Sequence, residues 1–260
     1  MIAGADHDVL ALIDELQSLR NGETTVAKLA ACGPRAIEPL RSFLFFGQPA
    51  AVYQPRQLAV EALAALGARD VLTDYLRRPR DIADPAASFG EEAVESTAAR
   101  LLGRWQTEET FAFLMSLARE RRLLGLIETL GEFRRPEALP YLEQALEDDY
   151  YRPVAEDALR KFGAAARPLL LHSAATSTNP RRRRSAARLL AEIGPGDEPA
   201  SVFLPLLEDD DPDVVVSAAK LLSASADPAV RSACVRRLIE IRPRAGWHLR
   251  DDIERSLRAV

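Results

Sequence analysis

Arg56–Gly67 reads RQLAVEALAALG, and three further stretches copy its plan: Glu92–Gly103 (EAVESTAARLLG), Pro153–Gly163 (PVAEDALRKFG) and Arg183–Gly194 (RRSAARLLAEIG). In the first, Ala59, Ala62, Leu63 and Leu66 fall at the i, i+3, i+4, i+7 spacing of one helix face. Gly67 then stands where a left-handed residue closes the last turn. Those four apolar side chains read as packing. A helix of this kind, repeated along a chain, specifies an architecture.

Each copy is preceded by another helical stretch. His7–Arg20 with Thr24–Ala31, Pro34–Phe46 with Arg56–Leu66, and Ala68–Arg78 with Glu91–Leu102 make the first three pairs. Thr107–Arg119 with Arg122–Leu130, Pro136–Glu147 with Pro153–Phe162, and Ala166–Ala175 with Arg181–Ile193 follow. Pro199–Glu208 with Asp213–Ser223 and Pro228–Ile241 with Trp247–Val260 complete the chain. The period of roughly 28–36 residues lies in the range of solenoid arrays. No alternating β-branched runs occur. Pro39, Pro140, Pro168 and Pro205 recur ahead of the leucines of a first helix, where a first turn tolerates proline and a deeper position kinks. The expected fold is all-α: a right-handed α-solenoid of about eight antiparallel helix pairs, a HEAT-like or armadillo-type superhelix. One domain spans 1–260, capped by the pairs 1–33 and 227–260, the first with a polar outer face.

The 260 residues are 47% hydrophobic and 28% charged, with a formal net charge of −5, which excludes a disordered chain. Cys32 and Cys234 are too far apart for a metal motif and read as buried thiols of a reducing compartment. The N-terminus has Asp6 and Asp8 where a signal peptide needs positive charge. No apolar run reaches the ~20 residues of a membrane span. A cytoplasmic protein is expected.

The pattern resembles HEAT repeats, in particular the bacterial HEAT-like repeats named after phycobilisome lyases. Phe203–Leu222, FLPLLEDDDPDVVVSAAKLL, has the leucines, acidic turn, Pro-Asp-Val and Ala/Leu helix of that family, and Glu147-Asp148-Asp149 before Tyr150–Leu159 fits the same plan. Family repeats carry an arginine early in the second helix; Arg56, Arg152 and Arg183 fit, whereas Val215 stands there in the acidic-turn repeat. The resemblance implies a fold and leaves function open.

Catalytic signals are missing. His7, His172 and His248 are isolated, with no His-Glu pair and no H-x-x-x-H, so the iron ligands of HEAT-like deoxyhypusine hydroxylases have no counterparts. No nucleophile elbow, Walker loop or dinucleotide fingerprint occurs. No enzyme, no cofactor and no metal is expected. A protein partner is expected instead, held without chemistry.

Two surfaces are candidates for it. Aligning second helices on their terminal glycines gives a column Glu61, Thr97, Gly125, Asp157, Arg188 and Lys220, and a parallel one through Arg100 and Arg160. Pairing between repeats, such as Asp157 with Arg188, is the bland alternative. The run Arg181–Arg184 opens a helix against its dipole. Arg184 and Arg188 either meet an acidic or phosphate ligand or are neutralised by Asp148, Asp149 and Asp209–Asp211. The second surface is the edge carrying two long connections, Gly47–Pro55 and Pro79–Gly90, around which Phe43, Phe45, Phe46, Tyr53 and Phe89 cluster, with Phe43 in the core. The charge mixture lacks the uniform basic stripe that DNA requires. A bilin-lyase-like subunit acting on a protein, or nucleic-acid binding as in HEAT-like DNA glycosylases, are the alternatives.

Overall fold

A computed structural model describes residues 3–18, 22–47 and 50–259, with the side chains of 3–7 and 259 left aside. Leu19, Arg20 and the expected break at Asn21 lie outside the described residues, as do Gln48 and Pro49 of the first long connection, and Val260.

The chain forms two compact units, Met1–Phe133 and Arg134–Val260. The first contains α1 (Ala3–Glu15), α2 (Gly22–Ala31), α3 (Ile37–Phe46), α4 (Gln54–Ala65), α5 (Arg69–Arg77), α6 (Pro85–Leu102), α7 (Glu108–Ala118) and α8 (Leu124–Phe133). The second contains α9 (Leu139–Gln144), α10 (Arg152–Phe162), α11 (Arg167–Thr176), α12 (Pro180–Ile193), α13 (Pro212–Leu222), α14 (Pro228–Ile241) and α15 (Trp247–Ala259). No strand occurs among the described residues. Each unit is a stack of helix pairs in which second helices pack on second helices: α2 on α4, α4 on α6 and α6 on α8, then α10 on α12, α12 on α13 and α13 on α15.

Small residues make that stacking close. Ala59, Ala62, Ala98, Ala99, Ala155, Ala186, Ala187, Ala218 and Ala219 are buried between helices, beside Leu63, Leu102, Leu126, Leu159 and Leu190. At Gly125 the approach is closest: its amide donates to Ser96 Oγ at 2.6 Å, and a methyl there would collide with the Ser96 carbonyl.

Three terminal glycines, Gly67, Gly163 and Gly194, have the expected positive φ. Two differ. Gly103 keeps φ −58°, and α8 runs through Gly131 to Phe133, so that Arg134 takes the left-handed conformation (φ 51°).

The recurrent prolines sit in first turns. Short 3-10 segments Gly33–Ala36, Pro136–Ala138 and Gly163–Ala166 lead into α3, α9 and α11, and Pro39, Pro140 and Pro168 follow at once. There the missing N–H would have been unpaired anyway. Pro199–Glu208 departs from its expected helix and forms two 3-10 segments, Ala200–Val202 and Leu204–Glu208.

The second long connection is shorter than expected, because α6 starts at Pro85 and only 78–84 is irregular. Asp84 caps α6, its carboxylate accepting from Ala87 N at 2.7 Å, with Pro85 in the first turn. Asn179-Pro180, Asp211-Pro212 and Asp227-Pro228 open α12, α13 and α14 in the same way.

Candidate functional site

The early arginines of the second helices explain how each pair is closed. Arg56 Nη2 donates to the carbonyl of Leu44 at 3.0 Å. Arg152 Nε donates to Leu146 O at 3.2 Å, and Arg183 Nη1 to Ser177 O at 3.1 Å. Each reaches the unpaired carbonyls at the end of its own first helix. In the repeat where Val215 replaces the arginine, Arg237 of the following repeat takes over, its Nε donating to Leu207 O at 2.6 Å.

In the first unit Arg56 does more. Its guanidinium is buried, forks onto both oxygens of Glu91, and donates to Tyr75 Oη at 3.1 Å. The Tyr75 hydroxyl donates to Glu91 Oε1 at 2.5 Å. One turn on, Glu95 accepts from Arg121 Nη1 at 2.7 Å, while Arg121 Nη2 donates to Arg78 O at 2.6 Å. Burial pushes the Tyr75 phenol far up. It also raises the Glu95 carboxyl, against the opposing pull of Arg121 and Arg80. This network escaped the sequence reading. Its one legible signal was Arg56 near the start of an Ala/Leu-rich helix.

Above this base lies the connection edge. The 50–53 backbone crosses α6 at Gly90, where any Cβ would strike the Ala50 carbonyl. The crossing sets Tyr53 edge-on to Phe89, ring centroids 6.4 Å apart. Phe89 remains 54% exposed, Val52 72% and Phe46 82%. The neighbouring aromatics turn the other way: Phe45 packs edge-on against Tyr75 at 5.7 Å, under the guanidinium of Arg78. Phe43, expected in the core, is half-buried; the buried residues of α3 are Leu40 and Leu44.

The charge column behaves differently. In the first unit Thr97 and Gly125 are buried in the seams between second helices, and Thr97 accepts from Gln57 Nε2 at 2.9 Å. Glu61 is half-buried and Arg100 exposed. In the second unit Asp157, Arg160, Arg184, Arg188 and Lys220 are exposed but paired. Arg160 donates to Glu192 at 2.7 Å and Asp157 at 2.5 Å. Arg188 pairs with Glu156, not with Asp157 as expected. Lys220 meets Asp252 at 2.8 Å and holds its carboxyl below the usual range. All four arginines of the run are consumed: Arg181 by Asp149, Arg182 by Glu143 and Glu147, Arg183 by Asp209, and Arg184 by Asp211. The run is a cross-link to the repeats on either side.

Cys234 is buried, which raises its thiol pKa, whereas Cys32 is only half-buried. Among the described residues no group of three or more His, Cys, Asp or Glu could hold a metal ion, and no helix is long and apolar enough to cross a membrane.

Paired helices stacked second helix on second helix, with small residues in the seams, define the α-solenoid class of repeat proteins. Within the chain, residues 85–163 match the family model of HEAT repeats. No curated protein sequence matches it significantly. Among solved structures it is similar to human deoxyhypusine hydroxylase in complex with glycerol, at 19% identity and TM-score 0.36, covering 99% of this chain and 97% of that one. It is also similar to the complex of CpcE and CpcF of phycocyanin lyase from Nostoc sp. PCC7120, at 16% identity and TM-score 0.38, covering 84% and 94%. These two are a hydroxylase and a lyase. The expectation of a chain without enzymatic activity is therefore corrected, since such a fold does not exclude catalysis.

Proposed function

We propose that this chain is a protein-binding module whose partner docks an apolar segment on the connection edge of the first unit, at Phe46, Val52, Tyr53 and Phe89. One observation supports the reading: Phe46, Val52 and Phe89 stand exposed where the 50–53 backbone crosses α6 at Gly90. Exposed aromatics on a fixed base are the usual anchors of interfaces. The paired state of Arg160, Arg184, Arg188 and Lys220 favours this edge over the charge column, because a ligand there would have to displace existing carboxylates. It also argues against a phosphate-binding surface. The test is retention of a partner from native lysate by immobilised wild type and by a Phe46→Ser/Phe89→Ser variant. Loss with the variant is expected; equal retention overturns the edge.

A further inference from the structure

Beneath the 78–84 connection lies a cavity of about 130 Å³, walled by Tyr75, Arg78, Arg80, Ile82, Glu91 and Glu95. It is a polar cavity, and two of its groups are unsatisfied. Glu95 is 3% exposed, yet its Oε2 has no hydrogen-bond partner, and neither has the buried Nη1 of Arg78. Arg80 approaches Glu95 Oε2 only to 3.6 Å, beyond hydrogen-bond range. Buried polar atoms left so are rare and destabilising. One is an acceptor that needs a donor; the other is a donor that needs an acceptor.

We infer that the cavity is a binding site for a primary carboxamide, whose N–H donates to Glu95 Oε2 and whose carbonyl accepts from Arg78 Nη1. The charge count favours a neutral group. Glu91 is already neutralised by Arg56 and Glu95 by Arg121, so a cation would find no free counter-charge, and a carboxylate, which could meet Arg78, has no N–H to give Glu95 Oε2. Size agrees. The volume is that of about four molecules of liquid water, which accommodates the four heavy atoms of acetamide. The site is separate from the apolar edge and stands without it. The carboxamide can come from a free small molecule or from an Asn or Gln side chain of a macromolecule.

The test is NMR titration of the full chain with acetamide, with N-acetylglutamine methylamide, and with acetate, the anion of the same shape that lacks an N–H. Backbone amides of Ile82, Glu91 and Glu95 report binding. Saturable shifts with acetamide alone assign a free ligand; saturation with the glutamine derivative alone assigns a side chain. Glu95→Gln, which turns a donor toward the cavity, should weaken binding about tenfold, and Ile82→Trp, which fills the cavity from the connection, should abolish it. Phe46→Ser should leave it unchanged. No saturation with either amide, or acetate binding as tightly as acetamide, overturns the assignment and leaves the cavity to water.

Discussion

Arg56 and Glu91 stand 35 residues apart and meet in the interior of the first unit as a two-pronged ion pair, their side chains 7% and 9% exposed. The pair joins the second helices of consecutive repeats, and Tyr75 and the Leu44 carbonyl close it from the first helices. Arg56→Met removes one partner and strands the Glu91 charge, for which the expected loss is about 3–5 kcal/mol. Arg56→Lys recovers little of it, because an ammonium cannot fork onto both oxygens. Urea denaturation followed by circular dichroism checks both.

The arginine run divides the same way by exposure. Arg182 reaches Glu143, itself 6% exposed, and its removal should destabilise the second unit by about 2 kcal/mol. Arg181 and Asp149 are exposed at 55% and 62%, and Arg181→Ala should change stability by less than about 0.5 kcal/mol. Equal effects would show that the run is not an inter-repeat clamp. The measurement is the denaturation midpoint of each variant.

Glu95 supplies a pH dependence. Its folded pKa lies above the ordinary carboxylate value, so the folded protein holds this proton more tightly than the unfolded chain. Stability from this group is therefore present below the unfolded pKa and is lost as pH rises through the folded one. Glu95→Gln should remove that loss, gaining relative to wild type as pH climbs from about 4 toward neutrality. Denaturation midpoints at stepped pH decide it; a constant difference contradicts the assignment.

At Gly125 and Gly90 the backbone admits no side chain, since a methyl would meet the Ser96 or Ala50 carbonyl. Gly125→Ala should cost about 1–3 kcal/mol through overpacking of the α6–α8 seam. Gly90→Ala should instead lift the 50–53 crossing and change the packing of Tyr53 on Phe89. Thermal unfolding reads the first effect, and tyrosine fluorescence the second.

The repeat was legible because its signals are local. Ala59, Ala62 and Leu63 announce a buried face by spacing alone, and Gly67 and Gly194 announce their turns by chemistry. What could not be read depends on neighbours roughly a repeat away. Nothing near Glu91 or Glu95 marks them as buried, and their fate is decided by Arg56 and Arg121, which arrive from other helices. The glycine alignment likewise put Thr97 and Gly125 in an exposed column. Both face the adjoining second helix, because the seam between repeats runs along that register. The Asp84-Pro85 cap was present in the sequence and signals a helix start; reading Pro79–Gly90 as one loop passed over it.

Docking of the partner on the edge at Phe46 and Phe89 is tested by placing a photo-crosslinking amino acid at 46 or 89, and in parallel at 100 or 220, in cells that contain the natural partner. One protein adduct common to positions 46 and 89, and none at 100 or 220, is the expected result. Adducts at 100 and 220 with none at 46 and 89 would contradict it and move the binding surface to the second-helix column.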